Sequence, residues 1–180
     1  DIISNNKIIN KDKYPLSTKD LMTLEHIDQL IESGIDSFKI EGRMKRPEYV
    51  YQVVSLYRKA IDSYMNTGKS NITKEDIKEM KKLFNREFTS GYLFNEKFII
   101  NGKWPNHQGI EIGEVVDYKN GYVYIKLKEK LNIHDGIRIL DKSDKGLMLN
   151  KMFINKTNVK EANKDDLTDK TYFYKGQEDH

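Results

Sequence analysis

The chain has 180 residues, 37% hydrophobic and 33% charged, with a formal net charge of +3 and no cysteine. That length fits one large domain or two small ones with modest cores, and the mild positive charge permits contact with nucleic acid without requiring it. Disulfides, thiolate-held zinc and cysteine-bound iron-sulfur clusters are excluded within this chain. No apolar run approaches the roughly 18 residues a membrane helix needs, and the opening DIISNNKII has no basic region leading into an apolar stretch. This abrupt, polar opening reads as the middle of a larger protein, so a further domain is expected before it.

From Tyr14 a capping group, Ser17, Thr18 and Asp20, precedes apolar residues at Leu21, Leu24, Ile27, Leu30 and Ile31, which predict a helix ending at Gly34. A buried strand over Ile35 to Ile40 is expected next. Gly42 offers the backbone freedom to turn, and Pro47 suits the first turn of a second helix, whose face of Val50, Val53, Val54, Tyr57, Ile61 and Tyr64 runs to Gly68. Thr73 to Asp76 opens a third helix with Ile77, Met80, Leu83 and Phe84 on one side. Helix, strand, charged turn and helix in this order predict part of a parallel α/β arrangement, because a single strand must find partners.

Residues 85–108 read as an ordered connector. Its aromatics Phe88, Tyr92, Phe94 and Trp104 suit either a base-stacking platform or the fastening of the connector onto neighbouring cores. Beyond Gly109 the apolar period becomes two. Ile112 to Tyr118, Tyr122 to Leu127, Gly136 to Leu140, Leu147 to Ile154 and Thr171 to Tyr174 predict strands, with Asn120-Gly121 a tight hairpin and further turns at His134-Asp135-Gly136 and Asp144-Lys145-Gly146. Five or six such strands suit a small closed barrel over 109–180. The expected organisation is therefore α/β units over 1–84, the connector, and an all-β barrel.

Ligands of α/β folds bind at the carboxyl ends of strands, which draws attention to the turn carrying Glu41, Gly42, Arg43, Lys45 and Arg46. Arg43 and Lys45 could hold a phosphate or carboxylate, and Glu41 could orient them or move a proton. The alternative is a solvated loop shaped by an ion pair from Glu41 to Arg43 or Lys45. Lys39, on the expected strand itself, would be costly there unless it faces a polar cavity. His107 and His134 have no companion at metal-ligand spacing, and GxSxG, HExxH and a phosphate-cradling glycine loop are all lacking.

The runs YPLSTKDL (14–21), DSFKIEGRMKRPEYV (36–50), FNREFTSGYL (84–93), PNHQGIEIGEV (105–115) and HDGIRIL (134–140) resemble the collagenase-like U32 peptidase family over nearly the whole chain. The resemblance implies the end of a barrel-like (TIM-like) α/β catalytic domain followed by a small β-barrel. It also implies an iron-sulfur cluster held by cysteines elsewhere in the parent protein, so no metal or cofactor is expected within this chain. Members of the family include peptidases and proteins similar to enzymes that hydroxylate a pyrimidine in transfer or ribosomal RNA, with prephenate implicated. PNHQGIEIGEV and HDGIRIL look nearest to the ribosomal-RNA branch. By resemblance, this chain would be the carboxy-terminal part of a cytoplasmic RNA-modifying enzyme; an incomplete set of α/β units leaves strand edges and apolar helix faces uncovered, so it is expected to be inactive by itself and to self-associate. A collagenase-like peptidase and a non-catalytic binding module are the alternatives. The matching positions are Lys39, Glu41, Gly42, Arg43, Lys45 and Pro47, with Lys39, Glu41 and Arg43 read as catalytic and Gly42, Lys45 and Arg46 as substrate-binding from side-chain chemistry. One departure stands out: Asn85-Arg86-Glu87-Phe88 carries glutamate where relatives usually have glycine, removing the residue suited to a tight turn.

Overall fold

A computed structural model describes residues 2–140, 145–164 and 171–174. It divides into two units, Asp1–Ile110 and Glu111–His180. The first opens with an antiparallel hairpin, β1 (Ile2–Ser4) and β2 (Lys7–Asn10), turned by Asn5 and Asn6 at φ 49° and 58°. Asparagine tolerates that left-handed region better than other side chains.

β3 (Asp20–Leu21) pairs in parallel with β4 (Phe88–Thr89), the one parallel ladder among the described residues. The helix expected from Leu21 therefore starts later, as a single 3-10 turn over Leu24–His26 followed by α1 (Ile27–Glu32). Backbone partners explain the shift. Lys19 N–H donates to Ile99 on one flank, and Asp20 and Met22 N–H donate to Glu87 and Thr89 on the other, so an extended segment satisfies more groups than a helix would.

α2 (Pro47–Thr67) begins with its proline in the first turn and stops at Gly68, whose left-handed φ of 76° closes the helix. α3 (Lys74–Leu83) is opened by a reciprocal pair, in which Thr73 Oγ1 accepts from Asp76 N–H while Asp76 accepts from Thr73 N–H. Leu24, Ile27, Val53, Leu56, Ala60 and Met80 bury their side chains together and form this unit's core. Each such burial contributes on the order of 1.5–3 kcal/mol.

The strand expected over Ile35–Ile40 is not formed. Those residues carry no regular secondary structure, and no described strand pairs with them. The two-residue alternation nevertheless persists, since Phe38 and Ile40 pack on the core while Lys39 and Glu41 face out.

In the second unit, β5 (Gly113–Lys119) and β6 (Tyr122–Leu127) form the expected hairpin, with Asn120 and Gly121 both at positive φ. β7 (Leu131–Asn132), β8 (Gly136–Ile139), β9 (Lys145–Met148), β10 (Met152–Ile154), β11 (Thr157–Val159), β12 (Glu161–Ala162) and β13 (Thr171–Tyr174) complete it. The single run expected over Leu147–Ile154 is thus two strands, and the turn expected around Asp144 lies partly outside the described residues.

The main sheet has the order β11-β10-β13-β6-β5, with β7/β12 and β8/β9 as separate two-stranded ladders. A closed barrel is not present among the described residues. β5 and β11 remain edges, because strands of two to four residues cannot carry the continuous stagger that closure requires, and β5 is interrupted by a register shift between Val115 and Asp117. Val123, Ile125, Leu127, Leu131, Ile137, Leu149 and Met152 pack inside.

Candidate functional site

The charged turn is built by two constraints. Lys45 N–H donates to Gly42 C=O at 3.0 Å, and the positive φ the turn needs falls on Met44, at 62°, rather than on Gly42. Gly42 is needed for a different reason: a Cβ there would stand 2.7 Å from Val50 Cγ2 on α2. Lys39 does not face a cavity. It pairs with Glu41 at 3.1 Å, the two side chains being 88% and 70% exposed. Arg43 and Arg46 are exposed as well, and only Lys45 turns inward to a partly buried position.

Lys45 enters a cluster that the linear sequence does not display. Its Nζ lies 2.9 Å from the centre of the Phe84 ring and 5.3 Å from that of Tyr49. Arg86 Cζ lies 5.6 Å from the same Phe84 ring, Tyr49 meets Phe84 edge-on, and His107 stacks parallel to Phe84 at 5.6 Å. Such ring faces attract cations. Arg86 is held by Asp20: Nη2 and Nε donate to Oδ1 at 2.6 and 3.0 Å, and the backbone N–H donates to Oδ2 at 3.2 Å.

The electrostatics follow from this packing. Burial lowers the pKa of the Lys45 ammonium, with the Asp20 carboxylate opposing and Arg86 adding to the decrease. Burial raises that of Tyr49, helped by Asp20, while the bond to Asp20 raises that of Arg86. Lys45 Nζ and Arg86 Nη1 make no hydrogen bond among the described residues, so both can still donate to an anion.

Reasoning from sequence found Lys45 but missed its companions. Asp20 reads as a helix cap and Arg86 as part of a connector, and nothing local announces that residues 66 apart will fork together. The signal available was Arg86 inside FNREFTSGYL, one of the distinctive runs. Glu87 next to it occupies φ 65°, so the turn persists although the glycine does not.

The connector is fastened onto the first unit. Asn101, 4% exposed, donates through its side chain to Arg86 C=O and accepts from Trp104 N–H, and His107 Nδ1 accepts from Asn85 N–H. At the far end of the β3/β4 pair lies an open cleft of about 160 Å³, lined by Met22, Glu25, His26, Phe88, Thr89, Ser90 and Glu96. Glu96 Oε2 accepts from Thr89 Oγ1 at 2.6 Å and Ser90 N–H at 2.9 Å, and these bonds, Thr89 foremost, depress the carboxyl pKa.

The chain offers no cysteine, and among the described residues no group of three or more His, Asp or Glu could hold a metal ion. No helix among them is long and apolar enough to cross a membrane.

The sequence matches a known family. A family model described as peptidase family U32 matches residues 3–102, and the chain belongs to that family. It is 37% identical over 146 residues to an uncharacterized protease of Methanocaldococcus jannaschii, covering 76% of this chain and 36% of that protein. Over 81 residues it is 46% identical to tRNA hydroxylation protein P1 of Bacillus subtilis, covering 44% of this chain and 19% of that protein. Over 146 residues it is 28% identical to the 23S rRNA 5-hydroxycytidine C2501 synthase of Escherichia coli, covering 77% and 22% respectively. The chain thus spans little more than a third, or less, of these relatives' lengths. No solved structure matches it.

Proposed function

We propose that the protein containing this chain hydroxylates a pyrimidine in RNA, and that Lys45 and Arg86 hold an anionic group of the substrate beside Phe84. The observation that carries this reading is a pair of cations set on one aromatic ring, Arg86 anchored by Asp20, with Lys45 Nζ and Arg86 Nη1 making no hydrogen bond among the described residues. The names of two relatives, for tRNA and for rRNA hydroxylation, supply the substrate class. Charge distribution agrees with it. Residues 1–110 hold 18 Lys and Arg against 15 Asp and Glu, whereas residues 111–180 hold 13 of each. Electrostatic capture of RNA therefore belongs to the first unit, and the second acts as a docking module of neutral charge.

Arg43 and Arg46 extend the cationic surface from the same turn. Glu41, paired with Lys39 on the exposed side of the turn, would be the carboxylate there able to take a proton. The resemblance implies an iron-sulfur cluster in the parent protein, but a chain without cysteine supplies no thiolate ligand, and no step assigned here runs through one.

The test uses the protein expressed from its complete gene. Lys45→Ala, Arg86→Ala and Arg43→Ala are each expected to reduce the hydroxylated nucleoside detected by mass spectrometry of cellular RNA, and each to lower the salt slope of RNA binding by about one phosphate contact. Wild-type hydroxylation in all three variants would refute the assignment. The family description and the name of the archaeal relative favour a second reading, protein hydrolysis. Cleavage of denatured collagen by the purified protein, with unaltered RNA nucleosides in a deletion strain, would select it.

A further inference from the structure

The cleft beside β3 and β4 combines apolar and hydrogen-bonding surface. An enclosed cavity on the order of 150 Å³ holds a benzene-sized ring, so this open cleft of about 160 Å³ has room for one six-membered heterocycle. Met22 and Phe88 give it apolar surface, and the His26 imidazole is braced flat against Phe94, with ring centres 4.0 Å apart. Enzymes acting on a nucleobase unstack it into a pocket of this kind, then read its pairing edge by hydrogen bonds.

Glu96 is the group placed to read that edge. Its Oε2 takes Thr89 Oγ1, Ser90 N–H and Ser90 Oγ, which fixes the carboxylate plane. Its Oε1 takes no hydrogen bond among the described residues and is ion-paired with Lys19 Nζ at 3.8 Å, a pair loose enough to leave room for a further donor. An ionised carboxylate only accepts, so it pairs with an exocyclic amine and repels a carbonyl at the same position. The depressed pKa of Glu96 keeps it in that accepting form.

We propose that this cleft receives a single unstacked cytosine, with Glu96 Oε1 accepting from the exocyclic amine, so that Glu96 sets the preference for cytidine over uridine. The inference rests on the RNA-hydroxylation reading above. It assigns Glu96 a role separate from the anion grip of Lys45 and Arg86.

The experiment measures binding of the protein expressed from its complete gene to two short unpaired RNAs differing only in a central cytidine or uridine, with nucleoside mass spectrometry of cellular RNA beside it. Wild type is expected to favour the cytidine strand by roughly ten- to a hundredfold. Glu96→Gln is expected to erase or invert that ratio, because an amide can turn its NH₂ toward the uracil carbonyl. A role confined to bracing Thr89 and Ser90 would weaken both strands alike and leave the ratio unmoved, which counts against the proposal. The wild-type ratio needs no variant and can overturn the proposal even if Glu96→Gln does not fold. Equal binding of the two strands, or preference for uridine, with RNA hydroxylation intact overturns the cytosine assignment alone. Loss of both RNA binding and any hydroxylated nucleoside overturns the RNA reading with it.

Discussion

Glu87 shows how a single backbone angle outlasts a change of residue. Its N–H donates to Asn85 Oδ1 and its C=O accepts from Asp20 N–H, and those two bonds hold φ at 65° whatever side chain is present. A non-glycine residue in that region costs on the order of 1 kcal/mol, whereas the exposed pair with Lys19 at 3.5 Å returns a few tenths. Glu87→Gly is therefore expected to raise the urea midpoint of the first unit, by up to about 1 kcal/mol in stability. Gly42→Ala should act in the opposite direction, by about 1–3 kcal/mol, since the added methyl meets Val50 Cγ2 at 2.7 Å and a helical valine has one favoured rotamer. Adding Val50→Ala should recover part of that loss, and additive effects of the two changes would show that the contact is not the cause. Glu96 gives a pH dependence. Its folded pKa lies below the ordinary 4.5, so its contribution is complete above pH 4.5 and is lost as pH falls through the depressed value. Glu96→Gln should flatten that acid limb in a pH series of thermal melts.

Among the elements, helices were the easiest to read. Pro47 and Gly68 punctuate α2, and Thr73 with Asp76 caps α3, all through bonds within a few residues of sequence. Thr73→Ala removes the side-chain half of that cap and should cost about 1 kcal/mol, visible as a lower melting temperature. The β5–β6 hairpin was legible for the same reason, because Asn120-Gly121 fixes the turn locally. Strand character over Ile35–Ile40 was misread in one respect only. The sequence carries the alternation, but a strand also needs a neighbour, and pattern alone cannot supply one. β3 was hidden by the converse effect, since its two residues become a strand only through partners near Thr89 and Ile99.

For the molecule as a whole, two features set expectations. Leu16, Leu21, Tyr92, Leu93 and Phe98 in the first unit are each at least 66% exposed, and apolar side chains left in water favour association where they meet. The isolated 180-residue chain is therefore expected to self-associate, and light scattering showing a strict monomer across micromolar concentrations would contradict that. By itself the sequence determined the limits of α2 and the opening of α3, the tight hairpin and the family, because each depends on residues close together in the chain. Only the tertiary structure decided that Lys45 and Arg86 share the Phe84 ring, that Asp20 anchors a guanidinium rather than a helix, and that the second unit's main sheet is not closed among the described residues. Those outcomes depend on which distant segments satisfy one another's hydrogen bonds and fill one another's volume, and periodicity along a chain carries no record of that choice.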